Sequence, residues 1–125
     1  MNLFLALISL GFITAPPALA GTISPLPYTV ENAPLIISAY AVRYGIPANR
    51  LIATLRCESG FNSNAVGDKG KSFGVAQIHL PSHKDVSKEE ALNPFFAINW
   101  TASEFAAGRQ KQWTCYRILF GGKSP

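Results

Sequence analysis

One glutamate lies on the apolar face of a predicted helix, where a charged side chain is unfavourable. Leu51, Leu55 and Glu58 are spaced i, i+4 and i+7, which puts them on one side of an α-helix. Gly60 is a typical helix stop, so Glu58 also lies in the last turn, at the negative end of the helix dipole. Burial and the dipole both disfavour the carboxylate, so we expect a raised pKa at Glu58. A carboxyl group that holds its proton can donate it to a leaving oxygen, as in glycosidic cleavage.

The other acidic residues have ordinary structural explanations. Asp68 lies in a turn-rich segment and is predicted to form the tip of a hairpin. Glu104 faces away from the apolar side of its predicted helix, so we expect a surface charge there. The remaining four are assigned to solvent or to helix capping: Glu31, Asp85, Glu89 and Glu90. Glu58 is therefore the candidate general acid, and a purely structural glutamate bonded to loop amides is the alternative.

The elements that must position Glu58 are mainly helical. Helices are predicted over 34–44, 48–58, 88–92, 94–108 and 113–119. A capping box over 87–90 marks the start of the third of them. Residues 65–66 and 73–75 are predicted to pair across a turn at 67–70. The predicted fold class is mainly α, an α+β domain with one small β-hairpin beside the helix that carries Glu58.

The start of the chain has the pattern of a secretory signal peptide. An apolar run from Leu3 to Ile13 is followed by Ala18-Leu19-Ala20, an A-x-A ending, although no Lys or Arg precedes the run. The run is too short to span a bilayer as a stable helix, so we expect export to the periplasm, cell wall or extracellular space. A retained membrane anchor is the alternative. The predicted organisation is a signal peptide at 1–20, a lead-in at 21–33, one domain at 34–120 and a tail at 121–125.

The chain is basic, with 11 Lys and Arg residues against 7 Asp and Glu and a formal net charge of +4. The basic residues are scattered rather than clustered. Such a surface fits either simple solubility or attraction to an anionic polymer, of which cell wall and nucleic acid are the obvious kinds. Charge alone does not separate these two interpretations.

The two cysteines favour a disulfide, and the two histidines do not favour a metal site. Cys57 and Cys115 form an even pair in an exported domain, which predicts a disulfide that tethers the end of the Glu58 helix. His79 and His83 have i, i+4 spacing, but Pro81 between them argues against a helix that presents both. We therefore expect solvated loop histidines, no metal site and no cofactor.

The segment around Glu58 resembles the motifs of the soluble lytic transglycosylases, which belong to the lysozyme-like superfamily. Residues 58–62 (ESGFN) and 72–78 (SFGVAQI) are similar to the paired E-S-x-x-N and S-x-G-x-x-Q-I motifs. Asn93-Pro94 followed by Ile98 is similar to the next element of that family, with Ala97 where Asn is frequent. Cys57 and the Trp-Thr-Cys sequence at 113–115 are similar to resuscitation-promoting-factor domains, in which the two cysteines are bonded.

The resemblance implies a peptidoglycan lytic transglycosylase with a single catalytic carboxyl group. In that family the glutamate protonates the oxygen between N-acetylmuramic acid and N-acetylglucosamine and then deprotonates the C6 hydroxyl, which closes a 1,6-anhydro ring. Chicken-type lysozymes carry a second carboxylate where this chain has Ser72, which favours the transglycosylase route. A hydrolytic muramidase and a non-catalytic wall-binding module of the same fold are the alternatives. The expected partner is a peptidoglycan glycan strand rather than nucleic acid, bound by a monomer.

The same resemblance assigns candidate substrate residues one position at a time. Ser72 could hydrogen-bond an N-acetyl carbonyl group or Glu58, and Gly74 would let the backbone approach a sugar ring. Gln77 offers a donor and an acceptor to an acetamido group. Asn62 belongs to the first motif. Tyr116 corresponds to the family's late tyrosine, although the A-Y-N-A-G sequence around that tyrosine is absent here.

Three other side chains have structural interpretations that compete with a substrate role. Asp68 could hold a water molecule, but we rank its role as a turn former first. Trp100 and Trp113 could stack on sugar faces, whereas a tryptophan on a helix is more often part of the core.

Overall fold

The computed structural model describes residues 26–121, together with residue 11. The helices are α1 (Ala33–Tyr44), α2 (Ala48–Ser59), α3 (Lys88–Leu92), α4 (Pro94–Ala106) and α5 (Thr114–Phe120); the strands are β1 (Val66–Gly67), β2 (Ser72–Phe73) and β3 (Ile78–His79); 3₁₀ turns span Leu80–Ser82 and Gln110–Gln112. The predicted mainly helical α+β fold class is confirmed.

The predicted signal peptide lies almost wholly outside the described residues, as does most of the predicted tail. The longest helix of the described part, α4, has 13 residues, and no helix there is long and apolar enough to cross a membrane.

The sheet has one more strand than the sequence predicted. β1 pairs with β2 in antiparallel register, with Val66 opposite Phe73. β2 then pairs with β3, with Ser72 opposite His79. The turn between β2 and β3 relies on positive φ angles at Gly74 (80°) and Gln77 (49°). Because glutamine is not a usual turn residue, the sequence indicated only the first of the two hairpins.

Side-chain caps fix the two helices that follow the sheet. The predicted capping box at α3 is confirmed: Ser87 Oγ accepts from the Glu90 N–H at 3.0 Å, and Glu90 Oε1 accepts from the Ser87 N–H at 3.0 Å. Asn93 Oδ1 caps α4 by accepting from the N–H groups of Phe95 and Phe96 at 3.0 and 3.2 Å. These caps set the direction in which α4 enters the core.

The core lies where α1, α2 and α4 meet the sheet. α1 packs against both α2 and α4. Ile37, Leu51, Leu55 and Ile98 have no exposed side-chain surface, so each of the three helices contributes its apolar face. Leu51 and Leu55 anchor α2 in this core, and Glu58 follows on the same face one turn later, where the core gives way to a cavity.

Gly74 explains how closely the sheet approaches α3. Its φ angle is +80°, and a Cβ atom placed there would lie 1.9 Å from the carbonyl oxygen of Ala91. No side chain fits at that distance, so glycine is required for the contact between this turn and the end of α3.

Candidate active site

Glu58 lines a cavity of about 320 Å³ beside the sheet. Asp68, in the turn between β1 and β2, supplies a second carboxyl group. The rest of the lining comes from residues 77–79 at the end of the sheet, from residues 82–83 after it, from residue 100 of α4 and from residues 112–114, which lead into α5 and include its first residue. The volume lies near the lower end of the range for ligand sites, about 300–1,000 Å³.

The Glu58 carboxyl group is half-buried and accepts one backbone hydrogen bond. Its Oε1 accepts from the N–H of Cys115 at 3.1 Å. Burial raises the pKa of Glu58, and the negative charge of Asp68 raises it further. The Cys115 hydrogen bond and the positive charge of Arg117 lower the pKa, but the net direction is upward. The predicted raised pKa is confirmed, with burial as its largest cause.

A disulfide joins Cys57 to Cys115, as predicted, with the two Cα atoms 5.9 Å apart. Cys57 precedes Glu58 near the end of α2, and Cys115 lies in the first turn of α5. The bond therefore holds together the two chain segments that contribute the Glu58 carboxyl group and its backbone donor.

Asp68 is both a turn residue and part of the cavity wall. Its φ angle is +48°, and that of Lys69 is +55°, so the predicted turn is present. Ser72 is completely buried, and its hydroxyl group donates to Asp68 Oδ2. The hydroxyl of Ser72 is thus engaged with Asp68 and not with Glu58, and this hydrogen bond orients the second carboxyl group.

Gln77 reaches the cavity, whereas Gly74 does not line it. The Gln77 side-chain amide donates to the carbonyl oxygens of Ala65 and Gly74 at 3.2 and 3.0 Å. Its N–H groups are therefore used to hold the loop around the sheet. Gly74 is buried against α3. That contact explains why the residue is glycine, and no approach of a sugar ring is needed to explain it.

Asn62 and Tyr116 lie outside the cavity lining. Asn62 is exposed, and its Oδ1 accepts from the Asn64 N–H at 2.9 Å, which closes a turn after α2. Tyr116 is buried, and its hydroxyl group accepts from Arg50 at 2.9 Å. Tyr116 lines a separate, smaller cavity with Arg50 and Gln110. Substrate roles for Asn62 and Tyr116 stay predictions from the resemblance alone.

His79 and His83 are partly exposed and line the cavity. His79 Nδ1 lies 2.8 Å from Ser82 Oγ. The Leu80–Ser82 turn, which includes Pro81, brings both histidines to the same cavity without a helix. Their i, i+4 spacing was the available signal, but Pro81 argues against an α-helix that presents both, so the sequence did not place them in the cavity. Within residues 26–121, no three His, Cys, Asp or Glu side chains are grouped as a metal site would require.

Two tryptophans form the aromatic wall of the cavity. The rings of Trp100 and Trp113 meet edge to face with centroids 5.8 Å apart, and the His83 ring lies 4.8 Å from that of Trp100. Trp113 is 5% exposed, and its indole N–H donates to the Ala76 carbonyl at 2.9 Å. Trp113 is therefore mainly a core residue, as expected, although it also lines the cavity.

One cavity thus combines a carboxyl group of raised pKa, a second carboxyl group, two imidazoles and an indole wall. Comparison with protein-family models, curated proteins and solved structures finds no match for this chain. What the site can do therefore follows from its own chemistry and from the motifs around Glu58.

Proposed function

We propose that this protein is a peptidoglycan lytic transglycosylase that cleaves the β-1,4 bond between N-acetylmuramic acid and N-acetylglucosamine. The observation that carries the proposal is the Glu58 carboxyl group, half-buried in a cavity wall with its pKa raised by burial. A carboxyl group in that state can act as a general acid toward a glycosidic oxygen. The choice of peptidoglycan rests on the motif similarity of residues 58–62 and 72–78.

In the proposed reaction Glu58 transfers one proton in each direction. It first donates its proton to the glycosidic oxygen while the bond from that oxygen to C1 breaks. The acetamido group of the substrate stabilises the positive charge that develops at C1. The Glu58 carboxylate, which accepts from the Cys115 N–H, then removes the proton of the C6 hydroxyl group. At the same time the oxygen of that hydroxyl group bonds to C1. The products are a 1,6-anhydro sugar and a free 4-hydroxyl group, and Glu58 regains its proton.

A module that only binds cell wall is the less favoured alternative. Binding needs hydrogen bonds and stacking surfaces, and it gains nothing from a carboxyl group with a raised pKa inside the binding cavity. Perturbed carboxyl groups in clefts are instead typical of acid–base catalysts. The state of Glu58 therefore supports an enzyme.

The test is the change Glu58→Gln, measured by the release of soluble fragments from purified peptidoglycan. Glutamine keeps the shape and can still accept from the Cys115 N–H, but it has no proton to cycle. We expect the rate to fall by about 10²–10⁴ or more, because both steps use the same group. Glu89→Gln, the same change at an exposed glutamate on α3, is the matched control and should keep the wild-type rate. A Glu58→Gln protein that cleaves as fast as wild type would contradict the proposal.

A hydrolytic muramidase is the second candidate, and the position of Asp68 favours it. The Asp68 carboxyl group lines the same cavity as Glu58 and is held by the Ser72 hydroxyl. A second carboxylate there could activate a water molecule. Mass spectrometry of products formed in ¹⁸O-labelled water separates the two reactions. Anhydro products, one water lighter and free of label, identify the transglycosylase; labelled reducing ends that disappear in Asp68→Asn identify the hydrolase.

A further inference from the structure

Glu104, which the sequence predicted as a surface charge, is the centre of a hydrogen-bond network. Its side chain is only 13% exposed. Arg109 donates to both carboxylate oxygens, from Nε at 2.6 Å and from a terminal nitrogen at 2.7 Å. Gln112 Nε2 donates to the same carboxylate at 2.8 Å. These bonds, with that to Arg109 as the largest cause, lower the pKa of Glu104 and keep it charged near neutral pH.

This network fixes which end of the Gln112 amide faces away from Glu104. A carboxylate can only accept, so the amide nitrogen must face Glu104, and the amide oxygen is left at the other end. Gln112 lines the same cavity as Glu58. Among residues 26–121, no side chain or backbone group donates to Gln112 Oε1. Donation to a carboxylate also polarises the amide, which makes its oxygen a stronger acceptor.

The geometry points to Gln112 as a substrate-binding residue, with its amide oxygen accepting from a hydroxyl or acetamido N–H group of the glycan. Glu104 is then a positioning residue that acts through Gln112. This inference rests on the proposed function, because it takes the glycan to occupy the Glu58 cavity. It also assigns a substrate contact to a residue outside the motifs that the sequence resemblance covers.

The inference is tested by binding to purified peptidoglycan sacculi in the Glu58→Gln background, where the polymer is not cleaved. Gln112→Ala should weaken binding about 3- to 10-fold, the usual effect of one hydrogen bond. Gln112→Met, which keeps the side-chain length without an acceptor, should give the same loss. Gln110→Ala is the matched control, because Gln110 lies on the same 3₁₀ turn but lines the other cavity; it should bind as the background does.

The role of Glu104 is tested by combining two changes. Glu104→Ala should weaken binding by itself, but it should add no further loss when Gln112 is already alanine, because Glu104 acts through that side chain. With Glu58 restored, Gln112→Ala should raise KM and leave kcat within about twofold, as for uniform binding.

The possible failures are distinguishable. If the Glu58→Gln protein itself does not sediment with sacculi, the proposed function falls and this inference falls with it. If it binds but Gln112→Ala and Gln112→Met bind equally well, only this inference is overturned. An equal loss in Gln110→Ala would show that the turn, and not the amide oxygen, is responsible. A further loss from Glu104→Ala in the Gln112→Ala background would overturn the positioning role.

Discussion

The groups around the Glu58 carboxyl group shift its pKa in opposite directions. Burial and the neighbouring Asp68 favour the protonated form, whereas the Cys115 N–H and Arg117 favour the carboxylate. In the proposed reaction Glu58 first gives up a proton and then takes one back, and an environment that excludes neither form suits both steps. The pKa of Glu58 is raised on balance, so at a given pH it holds its proton more often than a solvated glutamate does.

The raised pKa gives a prediction about stability that does not depend on activity. The folded protein binds the Glu58 proton more tightly than the unfolded chain does, so this residue's contribution to the free energy of unfolding decreases as pH rises from the unfolded pKa, about 4.3, through the folded value. Glu58→Gln does not titrate and lacks this loss. Urea unfolding should therefore show a stability advantage of Glu58→Gln over wild type that is larger at about pH 7 than at about pH 3.5. An advantage that is constant or shrinks toward neutral pH would contradict the raised pKa.

Single residues show why only part of the site could be predicted from sequence. Glu58 was found because it interrupts an apolar helical stripe, which is a local pattern. Asp68 and His79 were assigned to turn and loop, since nothing local shows that folding brings them to the Glu58 cavity. The orientation of Gln112 depends on Glu104, eight positions earlier and on a different element. Such contacts arise from tertiary packing and leave no periodic signal in the chain.

Among the elements, the helices followed their sequence patterns and the sheet did so only in part. The caps at Ser87 and Asn93 and the stop at Gly60 set helix limits close to those predicted. The second hairpin was missed because Val75 and Ala76 at the centre of its turn are apolar and so resemble a continuing strand. Its turn depends instead on the contact of Gly74 with α3, which no local pattern encodes.

A matched pair of variants can separate the stability cost of the close contact at Gly74 from the cost of its backbone conformation. Gly70 and Gly74 have nearly equal φ angles, 82° and 80°, but only at Gly74 would a Cβ atom meet backbone within 4 Å. Gly70→Ala should cost about 1–2 kcal/mol, the usual penalty for a left-handed conformation. Gly74→Ala adds a clash with the Ala91 carbonyl and should cost at least about 3 kcal/mol. Equal losses in urea unfolding would show that α3 moves away freely.

For the molecule as a whole, the disulfide joins the two residues that flank the cavity lining in the sequence. Cys57 directly precedes Glu58, the first residue of the lining, and Cys115 directly follows Thr114, the last one. Cys57 and Cys115 are 58 positions apart, and the sheet, α3 and α4 all lie between them. The core is shared by helices on both sides of this span, since α1 packs against α2 and α4 while α2 packs against α5. Because this packing already holds the folded protein together, the main effect of the bond is to restrict the unfolded chain.

Removing the disulfide should lower stability without changing the fold. Closing a loop of this length reduces the entropy of the unfolded chain by an amount worth about 4 kcal/mol in the chain-entropy model. The variant Cys57→Ser with Cys115→Ser should lose up to that free energy in urea unfolding. Wild-type protein kept in reductant should show the same midpoint as the double variant, which serves as the control. Stability equal to that of oxidised wild type would contradict this role of the bond.

The same bond should keep the protein in one covalent piece when a protease cuts the exposed turn at 68–71. This turn lies inside the covalent ring that Cys57 and Cys115 close, so a single cut there opens the ring without releasing a fragment. One piece would carry Glu58 and the other Trp113 and Gln112, and the two would migrate as one band until a reductant is added. Both walls of the cavity would stay tethered after proteolytic nicking.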